Sequence, residues 1–381
     1  MTPDALRDRA ADVFARLGGD LVDPPTLMDA TVPLDLSGEA VRSRLCVFPD
    51  ARGKETALRP DLTLPVALAE ADARRQDRVT GETIRRYVAR AFRMPVADGF
   101  DTEFTQVGFE RYGAPSDTGT DTETFAVVLE AATVGAPQLG KVMVGDLAVF
   151  PALIDAVADS DTLAETLKRR FRQGGGVDAP EGETTGHDGS AAMARVLAGA
   201  SRTDAEALVE QMLALAGVSP VGDRGFDEIV ERLLAKASSG TEKALSDAGR
   251  ALLSEALGLN GPAKPTAEAL GKLVKSAKLK AVMPVVERLQ ARLDEIAALA
   301  PGLDLRFATR FGQRFNYYDG FLFEIFGEGA PELAPLAAGG RYDQLVSVLS
   351  GGAATVTAIG GVVRPDRMAL AQPDAGRGGQ P

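Results

Sequence analysis

Apolar positions along the chain alternate between two periods. Leu6, Ala10, Val13, Phe14 and Leu17 recur at helical spacing and Gly18-Gly19 follows, so the chain is expected to open with a helix. "DLVDPPTLMDA" reads as an extended piece broken by Pro24 and Pro25. Leu45 to Phe48, a turn through Asp50 and Gly53, and a return to Leu58 predict a hairpin, with a helix after Thr63. "IRRYVARAFRM" and "EFTQVGFERYG" read as strands joined by the polar loop "PVADGFDT". "DTETFAVVLEAATVG" predicts a helix with a capping box from Asp121 to Thr124. "KVMVGDL" predicts a strand turning at Gly145-Asp146 into another helix.

From 161 to 299 alanine- and leucine-rich helical segments dominate, and Val282, Val286, Leu289, Leu293 and Ile296 keep a three-and-four repeat. A Gly-rich loop, "RQGGGVDAPEGETTGHDGS", interrupts them. After Pro301 strands return in "LDLRFAT", in "RFNYYDGFLFEIFG" and, past a Gly-Gly turn and a short helix, in "ATVTAIGGVV". The pattern predicts an α+β fold: one antiparallel sheet flanked by helices, built from 1–160 and 300–371, with a mainly helical insertion at 161–299 and a disordered tail at 372–381.

Composition narrows the function classes. The 381 residues are 45% hydrophobic and 25% charged, an ordinary globular balance with length enough for two domains. No apolar run of roughly 18 residues predicts a membrane span, and the charged start "MTPDALRDRA" lacks a signal-peptide core. One cysteine, Cys46, allows no internal disulfide and fits a reducing cytoplasm. With one histidine, His187, the chain cannot build a zinc site of the usual kind, and no metal or cofactor is expected. The net charge of −12 opposes non-specific nucleic-acid binding, which rests on basic side chains.

Four short stretches carry candidate chemistry. In "LRPDLT", Asp61 and Thr63 suit an ammonium group, or else they mark a helix N-terminus. In "FTQVGFE", Phe104, Gln106, Gly108 and Glu110 share one strand face, which is either a site floor with Gly108 leaving room or a solvated edge. Arg93 in "ARAFRMP" is a carboxylate or phosphate ligand or a surface arginine. Gly339-Gly340 in "AAGGRYDQL" permits close backbone approach or a plain turn, with Tyr342 behind it.

Taken in order, these stretches resemble the catalytic domain of histidyl-tRNA synthetase, a class II synthetase fold. "LRPDLT" is similar to that family's Arg-Pro-Glu-Gly-Thr segment, and "AFRMP…FTQVGFE" to its motif 2. "RFNYYDGFLFEI" and "AAGGRYDQL" resemble its two histidine elements, and "AIGGVVRPDRM" sits where motif 3 belongs. The resemblance implies a histidine pocket. Asp61, Thr63 and Gln106 would face the ligand's α-ammonium. Glu110 would hold its imidazole, with Tyr318 and Tyr342 on the other edges and Arg93 and Tyr317 completing the set.

Three departures from that family fall on its ATP contacts. Pro95 stands where motif 2 has a glutamate, and the following loop is acidic where the phosphates would sit. Gln313 takes the place of the catalytic arginine four residues before the first tyrosine. Arg364 and Pro365 replace the motif 3 glycine and its neighbour at the adenine shelf, and Arg367 is kept. The chain ends soon after motif 3, so the anticodon-binding domain is expected to be missing. This pattern resembles the regulatory subunit of ATP phosphoribosyltransferase, a synthetase paralogue. The resemblance implies a histidine-binding, non-catalytic partner of the short catalytic subunit, dimeric within a hetero-octamer, serving the first step of histidine biosynthesis and its feedback inhibition. Two rivals differ in class: an active ligase forming histidyl-adenylate, and a scaffold that binds no ligand.

Overall fold

The computed structural model describes residues 1–37, 39–95, 101–172, 174–177, 245–313, 317–328 and 335–373. Most of the Gly-rich loop, the greater part of the motif 2 loop and nearly all of the expected tail lie outside them. Chain contacts form two compact units, one of Met1–Ala152 with Glu255–Pro381 and one of Leu153–Ser254. In the smaller unit, α6 (Asp161–Arg172) buries Ala164, Leu167 and Phe171, and Lys168 bridges Asp155 and Glu165.

The larger unit opens with α1 (Pro3–Ala15), capped by Thr2, whose hydroxyl accepts from the Ala5 amide at 3.3 Å. It buries the expected stripe of Leu6, Ala10, Val13 and Phe14. The short β1 (Asp20–Leu21) follows. The predicted hairpin forms as β3 (Val47–Pro49) and β4 (Glu55–Leu58), and β2 (Leu27–Asp29) adds to β4 in a small antiparallel sheet. Next come α3 (Thr63–Arg75), β5 (Thr83–Phe92) and β6 (Glu103–Tyr112). Then follow α4 (Thr118–Thr133), β7 (Leu139–Asp146), β8 (Asn260–Pro262), α8 (Ala263–Ser276), α9 (Met283–Leu299) and β9 (Asp304–Ala308). The last elements are β10 (Phe321–Gly327), β11 (Ala337–Arg341), α10 (Leu345–Leu349), β12 (Ala358–Val363) and α11 (Pro365–Leu370).

Nine strands make the main sheet in the order β1-β5-β6-β12-β11-β10-β7-β9-β8. Among the described residues only β1 with β5 and β7 with β9 pair in parallel; the rest of the sheet is antiparallel, as the α+β reading requires. One face packs against α1 and α4. Phe14 of α1 meets Phe109 of β6 at 5.3 Å between ring centroids, and Phe125 of α4 meets Phe323 of β10 edge-on at 5.0 Å. The opposite face carries Gln106 and Glu110 and lies under Leu62, Leu64, Val66 and Ala67 around α3, with Leu345 and Val346 of α10. Strand alternation thus hands one face to the core and the other to a polar, tyrosine-rich layer.

Four local expectations change. The tyrosine stretch is not strand throughout: β10 begins only at Phe321, and Tyr317 and Tyr318 precede it. Gly339-Gly340 is no turn but the middle of β11, laddered on both sides. The cap of α4 is Asp117, which accepts from the Thr120 amide at 2.8 Å. Asp121 is instead buried between Arg292 of α9 and Arg341 of β11, at 2.7 Å from each. The helical stretch is also divided. Residues from Glu255 onward belong with the sheet, because the main chain of β8 pairs with β9, although "NGP" has no apolar strand pattern.

Candidate functional site

The β5–β6 hairpin places Glu110 in the polar layer. Its side chain is 1% exposed and accepts three hydroxyl hydrogen bonds: from Thr63 at 2.7 Å and Tyr87 at 2.9 Å on Oε1, and from Tyr342 on Oε2. Burial pushes the Glu110 carboxyl up to about 7, against the pull of these donors, and the nearby Asp61 charge adds to the rise. The backbone makes room for this arrangement. Gly360 of β12 lies opposite Glu110, and a Cβ there would come within 1.8 Å of Oε2. Gly108 faces Tyr87 across the hairpin, and a Cβ there would meet the Tyr87 hydroxyl at 2.7 Å. The room that Gly108 leaves is therefore taken by Tyr87.

Asp61, Thr63 and Gln106 converge at the start of α3. Asp61 Oδ1 accepts from the Leu64 amide at 3.0 Å, so the helix N-terminus reading of this residue holds. Its Oδ2 faces Arg93 Nη2 at 3.4 Å, and burial raises its carboxyl pKa despite that partner. Arg93 also donates to the Pro60 carbonyl at 2.6 Å. Gln106 Oε1 accepts from the Leu62 amide at 3.0 Å, tying β6 to the turn before α3. Thr63 donates its only hydroxyl proton to Glu110, which leaves its lone pairs able to accept.

All five tyrosines of the chain gather in one cluster around this layer. Tyr317 and Tyr318 lie 4.7 Å apart, and each meets Tyr342 at about a right angle or steeply tilted, at 6.0 and 6.1 Å. Tyr112 meets Tyr342 at 6.5 Å. A clamp fixes the turn that carries the pair. Asp319 accepts from the amides of Asp343 at 3.0 Å and Gln344 at 2.7 Å, and its own amide donates to the Arg341 carbonyl. Burial, with Asp343 nearby, pushes the Asp319 carboxyl up to about 6. Arg341, between Asp121 and Asp343, anchors the same corner.

The structure therefore brings the eight candidates into one layer. Sequence reasoning missed Tyr87, Tyr112 and Asp319. Tyr87 had a usable signal, since the hairpin register sets it opposite Gly108 and on the face of Glu110; Asp319 had none. A cleft of about 210 Å³ opens elsewhere, between α1 and the edge strands, with Phe14, Leu21 and Val88 in its wall. Another of about 340 Å³ lies over Lys141, Asn260 and Arg306. Neither is lined by any of the eight residues. Among the described residues no group of three or more His, Cys, Asp and Glu could hold a metal, and no helix is long and apolar enough to cross a membrane.

Beside this layer lies the region matched to the ATP contacts. Arg364 follows β12, pairs with Asp366 at 3.0 Å and sits over the Phe104 ring at 3.5 Å from its centroid. Arg93 is a second cation near that ring, at 5.8 Å. Arg367 donates to the Pro335 carbonyl at 3.0 Å, and burial pushes its guanidinium down to about 10. Burial pushes Glu324, on the same sheet face, up to about 7 against the pull of Arg367, Arg93 and Lys141. Gln313 is 7% exposed, and its Nε2 is buried without a hydrogen-bond partner.

A family model for histidyl-tRNA synthetase matches residues 2–221 and 204–368. The chain is 32% identical over 346 residues to the ATP phosphoribosyltransferase regulatory subunit of Chelativorans sp. (strain BNC1), covering 89% of this chain and 90% of the relative. It is 32% identical over 391 residues to the protein of the same name from Sinorhizobium fredii, covering 98% of each. A solved structure described as an ATP phosphoribosyltransferase regulatory subunit/histidyl-tRNA synthetase from Bacillus halodurans superposes with a TM-score of 0.64 at 20% identity. It covers 97% of this chain and 79% of that one, a likeness of fold.

Proposed function

This chain belongs to the histidyl-tRNA synthetase family and, within it, to the ATP phosphoribosyltransferase regulatory subunits, and from that premise we propose that it works as a non-catalytic histidine sensor. Its partner is the short-form catalytic subunit of that transferase, which it joins as a dimer within a hetero-octamer in the cytoplasm. Histidine binding feeds back on the first step of histidine biosynthesis.

The observation that carries the reading is the buried Glu110 carboxylate, ringed by Thr63, Tyr87 and Tyr342 and walled by the tyrosine pair. A carboxylate and hydroxyls in a dry setting suit an imidazole N–H. A buried polar site of this kind rejects analogues that leave its groups unpaired. Asp61, Thr63 and Gln106 supply acceptors for an α-ammonium group. Feedback requires that histidine bind the two states of the assembly with different affinity.

The test is reconstitution with a short-form catalytic subunit, assaying phosphoribosyl transfer with and without histidine. Histidine should inhibit the complex, and Glu110→Ala should abolish that inhibition; inhibition unchanged in the variant would exclude this pocket. Histidine-dependent ATP–pyrophosphate exchange by the purified chain would instead establish a ligase.

A further inference from the structure

The region beside the histidine site holds an aromatic ring, Phe104, with guanidinium groups close by, those of Arg364 and Arg93. A flat ring beside cationic groups is the chemistry that takes a nucleotide, the base stacking and the phosphates paired. Here a face of the ring is already covered. The Arg364 guanidinium carbon lies over the ring at 3.5 Å from its centroid, in contact with that face. The main chain fixes it there, since the Arg364 amide donates to the Leu336 carbonyl at 2.8 Å and β12 is laddered to β6, with Val363 opposite Val107. Asp366 accepts two hydrogen bonds along the edge of the guanidinium, from Nε at 3.3 Å and Nη2 at 3.0 Å. Phe104 itself is 6% exposed.

We infer that Arg364 is an intramolecular stopper: its guanidinium occupies the Phe104 ring face that a purine base would otherwise use, so the chain excludes nucleotides by a filled seat. The inference rests on the family reading, in which glycine stands at this position. It assigns to one residue a specificity that charge repulsion near the phosphates would not provide, because a filled ring face also rejects an uncharged nucleoside.

Adenosine is therefore the discriminating probe. By equilibrium dialysis the wild-type chain should bind it negligibly at millimolar concentration. Arg364→Gly should bind it at least about tenfold more tightly, as expected for recovering one base–aromatic stack. The double variant Arg364→Gly with Phe104→Leu should lose that gain. If Arg364→Gly does not fold, Asp366→Asn, which releases the guanidinium from its carboxylate, is read in the same way with a smaller gain. Adenosine binding by the wild-type chain equal to that of the variant would overturn the inference. So would no gain in a folded variant, because Arg364 would then be a packing contact only. Histidine inhibition of the reconstituted complex is measured on the same wild-type preparation, so failure of the sensor reading shows separately from failure of the stopper.

Discussion

At the scale of single residues, Glu110 holds the site together at a cost. Its carboxyl is raised to about 7 in the folded chain from an ordinary 4.5, so the native state keeps this proton longer than the unfolded chain does. Its favourable contribution is complete below about 4.5 and is lost as pH rises through about 7. Glu110→Gln should flatten the fall in melting temperature across that window. Some slope should remain, because Glu324 and Asp319 are raised as well. A slope identical to wild type would mean that Glu110 is not the group being titrated. Tyr87→Phe removes one donor from the same buried carboxylate. It should destabilise the chain by about 2 kcal/mol in chemical denaturation, the range for a hydrogen bond to a charged group.

Elements fix how these residues meet. The corner between α4, α9 and β11 is an ion network with Asp121 at its centre, paired to Arg292 and Arg341. Asp121→Ala would leave two buried guanidinium groups short of a partner, and a loss of about 3–5 kcal/mol is expected from the denaturation midpoint. A change below about 1 kcal/mol would show that water or Asp146 and Asp343 compensate. The Asp319 clamp acts on ligand geometry. Asparagine has one carbonyl oxygen where aspartate offers two, so Asp319→Asn should loosen the tyrosine-bearing turn and weaken histidine binding by roughly fivefold, the worth of one neutral hydrogen bond. The readout is direct: the chain has no tryptophan, and all five tyrosines lie in this cluster, so intrinsic fluorescence reports on the site alone.

For the whole molecule, regulation is a coupling free energy, and histidine should lower the activity of the reconstituted complex with a coupling of about 1–3 kcal/mol, or roughly 5- to 150-fold in affinity. By reciprocity, the catalytic partner should change the affinity for histidine by the same factor, which titration with and without the partner would measure. Gln313→Arg alone should not restore histidyl-adenylate formation, because Arg364 still covers Phe104. Adenylate from that single variant would show that the filled ring face does not block its formation.

The sequence by itself determined the elements whose apolar period was long and regular: α1, α9 and the β5–β6 hairpin sit where the spacing put them. It also pointed to the eight candidate side chains, through the order of short motifs that resemble one family, and these lie together in the fold as a proposed site. Only the tertiary structure decided what those side chains touch. The space beside Gly108 went to Tyr87, Asp121 became the centre of an ion network, and Gly339-Gly340 became strand. Arg364 came to rest on Phe104 from 260 positions along the chain, a distance over which no local pattern carries information. The physical reason is that periodicity records which face of an element is buried, whereas partners on that face are set by strand order and register, and these belong to the whole sheet.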